Sequence, residues 1–200
     1  MPHKIQVSHL VDHHGNNAVR TGAVNTIRKL PDGSLLGENF EGVGFVRGLT
    51  SRGIELAGKA VLVIGAGGAG CAVVNAIADQ GATRNGVYDV DTKRQADLVA
   101  SVSGHVPAVR VEACAPKAEG FDLIVNCTSV GMKAGDPLPV DLTGITSKTV
   151  VADIILKPVR TPLLEAAARQ GCLTHEGPAM LEGQIDTVMD FFFSSAQAPG

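Results

Sequence analysis

Val61-Leu-Val-Ile-Gly-Ala-Gly-Gly-Ala-Gly-Cys71 runs four apolar residues into a glycine-rich turn and then into a helical pattern. Gly65, Gly67 and Gly70 satisfy GxGxxG, a spacing that carries weight only where it follows a strand and opens a helix, as it does here. The first glycine permits the tight turn, the second lets the backbone approach a pyrophosphate, and the third lets helix and strand pack closely. Gly68 and Ala69 complete the turn, and a diphosphate would sit on the free N–H groups of the helix N-terminus. Asp89 stands 19 residues beyond Gly70, near the spacing of about 20 at which an acidic residue meets a ribose. A carboxylate there accepts the ribose hydroxyls and repels a 2′-phosphate, which favours NAD. Lys93 and Arg94 follow closely and partly offset that charge, so NADP stays open. The competing reading, a plain glycine turn with an exposed Asp, needs three coincidences.

Outward from this turn the pattern alternates. Lys59–Ile64 reads as a strand, and Ala69–Gln80 as a helix stopped by Gly81. Gly86–Val90 reads as a strand, Thr92–Ser101 as a helix, and Val109–Glu112 as a weak strand. Phe121–Cys127 and Thr149–Ile155 are further strands, and Thr161–Gln170 is a helix ending before Gly171. Strands alternating with helices predict an α/β fold with a Rossmann-type, doubly wound parallel sheet. Its flanks differ. Ile5–His14 is helix-like, Gly22–Leu30 follows, Pro31-Asp32-Gly33 is a turn, and residues 180–193 read as one helix with an apolar stripe. The division expected is 1–40 as a partial smaller lobe, 41–176 as the NAD(P)-binding domain, and 177–200 as a helix returning to the lobe. The tail SSAQAPG reads as frayed.

Composition narrows the class. With 200 residues and 44% hydrophobic content the chain can bury a real core, and its net charge of −3 offers no basic face for nucleic acid. No apolar run approaches the roughly 18 residues of a membrane span. The four cysteines are scattered without a CxxC pair, which fits reduced thiols in a cytoplasm. His9 and His13 lie four apart, as zinc ligands on a helix do, but no third ligand accompanies them, so no metal site is expected.

Five blocks, in order, carry a resemblance: Pro2-His-Lys4, Gly22-Ala-Val-Asn-Thr26, Gly37-Glu-Asn-Phe-Glu-Gly-Val-Gly-Phe45, Asn126-Cys-Thr-Ser-Val-Gly131 and Gly177-Pro-Ala-Met-Leu-Glu-Gly-Gln184. Together they resemble the shikimate/quinate dehydrogenase family over nearly the whole chain. The resemblance starts inside that family's substrate domain. It implies that a preceding segment with paired hydroxyls for a substrate carboxylate is missing, and that the chain stops short of the usual last helix. What remains would be a remnant of the substrate lobe, expected to expose a sheet edge or apolar face and so to self-associate, as a homo-oligomer, or to be poorly soluble.

The resemblance further implies NAD(P)-linked oxidation of a cyclic hydroxy acid such as shikimate or quinate, in the route to aromatic amino acids. By position Lys4 and Glu41 are the acid/base pair, and Asn25 and Gln184 the substrate contacts. The cofactor contacts are Gly65, Gly67, Gly68, Ala69, Gly70, Asp89, Arg94, Thr128, Ser129, Ile154, Gly177 and Met180. The chemistry is sound in itself: hydride leaves a carbinol carbon only as its hydroxyl proton is removed, so a base must lie within hydrogen-bond reach. Two departures fall on the substrate side. Asn39-Phe40-Glu41 stands for the usual Asn-Thr-Asp, and Leu156 replaces a usual tyrosine. They keep two alternatives open: a cofactor-binding module with little turnover, and a dehydrogenase for a different hydroxy compound.

Overall fold

The computed structural model describes residues 3–193; Met1, Pro2 and the SSAQAPG tail lie outside the described residues. The larger sheet has six strands, all parallel, in the order β6-β5-β4-β7-β8-β9. They are β4 (Ala60–Ile64), β5 (Arg84–Tyr88), β6 (Arg110–Ala113), β7 (Leu123–Asn126), β8 (Val150–Asp153) and β9 (Leu173–His175). The central strands β4, β7 and β8 are apolar on both faces, as a sheet covered on both sides demands. Along β4, Val61 and Val63 join one core with Leu123 and Val125 of β7, and Leu62 and Ile64 join the opposite core with Ile124. Helices α4 (Gly68–Asp79) and α5 (Thr92–His105) cover the first face, and α6 (Pro162–Arg169) the second. Asp91 caps α5 by accepting from the N–H groups of Lys93 and Arg94, and Thr161 caps α6 through Leu164.

Helix α3 (Glu41–Thr50) bridges the two sheets. Three glycines inside a ten-residue helix argue against helix by propensity. Contact explains them. A Cβ on Gly42 would meet Ala72 O at 2.3 Å, one on Gly44 would meet Met180 O at 2.4 Å, and one on Gly48 would meet Ala179 O at 2.8 Å. The glycine face lets α3 lie directly on α4 and on α7 (Pro178–Glu182).

The smaller sheet has three strands, β1 (His13–His14), β2 (Thr26–Lys29) and β3 (Leu35–Glu38), in the order β1-β3-β2. β2 and β3 form an antiparallel hairpin across Pro31-Asp32-Gly33, while β1 pairs parallel to β3. The stretch Ile5–His14 is therefore not one helix. It holds α1 (Lys4–Ser8), and its end enters a strand, because Asp12 and Gly15 hydrogen-bond to the β3 backbone. Helix α2 (Asn16–Thr21) follows and ends at Gly22, which takes a left-handed conformation. The single helix expected over 180–193 is likewise two, α7 and α8 (Ile185–Phe193). The break falls at Gly183, which is pressed so closely on Gly44 that a Cβ would meet the Gly44 carbonyl oxygen at 2.3 Å.

Candidate active site

The sheet order reverses between β4 and β7, so the crevice beyond their carboxyl ends is where an open parallel sheet binds ligands. The glycine turn rises on one side of it. Gly65 has a φ of 104°, and its N–H donates to Tyr88 O over 2.7 Å. Gly67 caps α4 with no side-chain hydrogen bond, and no acidic residue occupies the first turn. No atom of the described residues lies within 4 Å of a Cβ built on Gly67. Free helix N–H groups beside an uncovered backbone fit a diphosphate. Gly70 is closed the other way: a Cβ there would fall 1.8 Å from Gly65 O.

Lys4 opens α1, and its carbonyl accepts Val24 N–H, tying α1 to the segment that leads into β2. Glu41 opens α3, where the helix dipole favours a carboxylate and Asn39 Oδ1 receives the Glu41 N–H at 3.0 Å. The Lys4 ammonium donates to both Glu41 oxygens, at 2.6 and 2.5 Å, with little of either side chain exposed. The longer glutamate thus reaches the lysine in full. A Cβ on Gly68 would lie 3.9 Å from Lys4 Cε, so the pair stands against the glycine turn. Asn25 and Gln184, 159 residues apart, join through Asn25 Nδ2 donating to Gln184 Oε1 at 3.1 Å. Asn25 Oδ1 also accepts from Phe40 N–H and Thr26 Oγ1.

Beyond β7 and β8 the wall is held by a buried network. Asn126 Nδ2 and Thr161 Oγ1 both donate to Asp153 Oδ2, and Ile155 N–H to its Oδ1. Burial raises the Asp153 carboxyl above its ordinary value, against those hydrogen bonds. Asn126 Oδ1 in turn accepts Thr128 N–H and Oγ1. The Cys127 thiol is pushed well up, first by burial and then by the nearby Asp153 and Glu41 carboxylates, which makes it a neutral wall and not a nucleophile.

These pieces enclose a cavity of about 840 Å³. Lys4, Glu41, Asn25, Gln184, Ala69, Thr128, Ser129, Ile154, Gly177 and Met180 all line it. Gly65, Gly67, Gly68, Gly70, Asp89 and Arg94 do not; they form the turn and the strand end beside it. Asp89 is largely buried, and its oxygens accept Ala66 N–H at 2.7 Å and Asp91 N–H at 2.8 Å. It therefore braces the glycine turn. The offsetting cations are occupied as well: Lys93 pairs with Asp97, and Arg94 donates to Asp91 at 3.0 Å. Sequence reasoning passed over Thr26, Met132, Lys157, Leu181, Ile185 and Val188, which also line the cavity; Thr26 and Leu181 sit inside the quoted motifs, and the other four lie outside them. Phe40 turns away from it and packs edge-on against Phe191 at 5.3 Å. His9 and His13 share no helix, and no cluster of metal-binding side chains occurs among the described residues.

Comparison with known proteins agrees with this geometry. No family model matched the chain. The shikimate dehydrogenase (NADP(+)) of Sphingopyxis alaskensis is 35% identical over 200 residues, covering 100% of this chain and 71% of the relative. The chain belongs to the shikimate dehydrogenase family. A second member, from Rubrobacter xylanophilus, is 37% identical over 185 residues, which are 65% of its length, so the chain spans about two thirds of these relatives. Among solved structures, quinate dehydrogenase from Corynebacterium glutamicum in complex with NAD superposes with a TM-score of 0.83 at 30% identity, covering 99% of this chain and 72% of that one. The ligand-free 5-ketofructose reductase of Gluconobacter sp. strain CHM43 superposes with a TM-score of 0.85, also at 30% identity, over 100% of this chain and 73% of that one. Family membership brings a nicotinamide dinucleotide and a small-molecule substrate; the relatives' names and complexes include both NADP and NAD.

Proposed function

We propose that the chain is an NAD-dependent dehydrogenase for a cyclic hydroxy acid of the shikimate or quinate type. The observation that carries the reading is the Lys4–Glu41 pair, closed by two short hydrogen bonds and set against the glycine turn inside the cavity. A nicotinamide cofactor, when bound, would supply hydride exchange with the substrate carbon. In oxidation, neutral Lys4 takes the substrate hydroxyl proton as the carbonyl forms; in reduction the Lys4 ammonium returns it. Glu41 orients the ammonium and stabilises its charge. Asn25 and Gln184 hold substrate hydroxyls with their remaining N–H groups, and residues 1–40 and 177–200 act as the substrate lobe around a cofactor domain of 41–176. The preference for NAD rests on Asp89 and Asp91, which flank an 83% exposed Val90; Lys93 pairs with Asp97, and Arg94 with Asp91 and, at 3.8 Å, Asp89. A 2′-phosphate would meet two carboxylates there, with the nearby Arg94 already engaged by both.

Steady-state assays with shikimate and quinate, each with NAD and NADP, test this. Turnover favouring NAD is expected, and turnover favouring NADP would refute the role given to the two carboxylates. A second reading has one specific support: Leu156 lines the cavity and the similar 5-ketofructose reductase is named for an uncharged ketose, so a neutral polyol or ketose substrate belongs in the same assay. Self-association is supported by the outer edge of β2, which pairs only with β3 among the described residues, and by exposed Ile5, Leu10, Val19 and Ile27. Sedimentation velocity showing a monodisperse monomer would refute it. A cytoplasmic setting is supported by four unpaired thiols. No helix among the described residues is long and apolar enough to cross a membrane.

A further inference from the structure

Among the described residues the charged side chains lining the cavity are Lys4, Glu41 and Lys157, the last of them exposed at its mouth. Lys4 and Glu41 neutralise each other. Lys157 makes no ion pair among the described residues, so the cavity carries one uncompensated positive charge. The other cation of the same segment, Arg160, is engaged by Thr174 and Glu176. The backbone that presents Lys157 is fixed at both ends: Asp153 accepts Ile155 N–H at 3.0 Å and Thr161 Oγ1 at 2.8 Å. Its neighbour Leu156, also in the cavity wall, is half-exposed and has no polar atom to offer a substrate. Asn25 and Gln184 are neutral and bonded to each other.

From this arrangement we infer that Lys157 is the residue that selects an acidic substrate, its ammonium holding the carboxylate while Lys4 and Glu41 handle the hydroxyl. The inference rests on the proposed dehydrogenase function and adds a specificity residue to it. A charge contact made alike in ground and transition states lowers KM and leaves kcat alone. It discriminates between an acid and its neutral counterpart, because only the acid offers a charge.

The experiment compares the wild-type chain with Lys157→Met and Lys157→Arg, using shikimate and its uncharged methyl ester. Lys157→Met should raise KM for shikimate roughly tenfold with kcat within twofold, leave the ester's KM unchanged, and lose the wild-type preference for the acid. Lys157→Arg should restore that preference. Equal KM values for shikimate in wild type and Lys157→Met would overturn the inference, as would equal losses for acid and ester, which mark a structural role. Should the wild type turn over the ester or a neutral ketose and not the acid, hydride transfer stands and the Lys157 assignment falls. Should it turn over nothing, the dehydrogenase reading falls; shikimate binding by calorimetry with NAD present then decides Lys157 alone, with equal affinity in wild type and Lys157→Met overturning it.

Discussion

Gly70→Ala is the substitution whose consequence the structure fixes most tightly. Its Cβ would lie 1.8 Å from Gly65 O and 2.8 Å from Gly65 C. A carbon and an oxygen need more than about 3 Å, so helix α4 and the turn must separate by over about 1 Å. Neither side yields easily. Gly65 is held by its 2.7 Å hydrogen bond to Tyr88 O, and the next residue by Asp89. Overpacking of this kind costs about 1–3 kcal/mol, and the severity here argues for the upper end. For a chain of this length, about 3 kcal/mol lowers Tm by roughly 6–12 °C. The same shift moves the N–H groups that would hold a diphosphate, so NADH affinity should fall about tenfold or more. Gly67→Ala is the control. No atom of the described residues lies within 4 Å of its Cβ, so Tm should stay within about 1 °C while NADH binding weakens, because the methyl group enters the space a diphosphate needs. Thermal melts by circular dichroism and NADH fluorescence titrations read both quantities. If Gly70→Ala melts and binds like the wild type, the close approach of helix and turn is refuted. If Gly67→Ala binds NADH normally, the phosphate cradle is refuted.

Three further outcomes follow from the same geometry. His175 is buried against Phe45, and burial, then the Arg52 guanidinium, lowers its pKa from 6.5 to about 4, with Glu176 opposing. Because the folded value lies below the unfolded one, its stabilising contribution is complete above pH 6.5 and is lost as pH falls through 4, by about 3 kcal/mol in all. Urea titrations should show stability falling between pH 7 and pH 4 by about 3 kcal/mol less in His175→Gln than in the wild type, and an identical fall would rule this out. Val90→Arg places a cation on an exposed site between two carboxylates and should move the NADP-to-NAD ratio of kcat/KM about tenfold toward NADP; an unchanged ratio would mean the ribose does not reach the end of β5. Glu41→Gln keeps the shape and removes the charge facing Lys4. It should cut kcat about 10²-fold while NADH affinity holds, and a loss confined to KM would contradict the acid/base role.

The sheet was legible where side chains follow a simple period. Lys59–Ile64 and Phe121–Cys127 were expected as strands, and the parallel sheet has strands at Ala60–Ile64 and Leu123–Asn126. Gly86–Val90 is displaced by two residues from the observed Arg84–Tyr88, because Arg84 gains its place by pairing with Glu112 on the neighbouring strand, which no local pattern shows. β9, Leu-Thr-His, is too short to display a period and exists through its pairing with β8. Helix α3 was hidden by the glycines that its packing requires, and the break between α7 and α8 falls at a glycine, Gly183, inside an otherwise helical pattern. The convergence of Lys4, Glu41, Asn25 and Gln184 on one cavity depends on chain folding over 159 residues, and spacing alone could not have supplied it. Lys157 was missed because its meaning lies in the charges around it.

The measurement that tests the central claim most directly is nicotinamide reduction with shikimate by the wild-type chain and by Lys4→Ala, with NADH affinity measured in parallel. The account predicts wild-type turnover, a fall of at least about 10²-fold in kcat for the variant, and equal cofactor affinity. Turnover of Lys4→Ala within about tenfold of the wild type would contradict it.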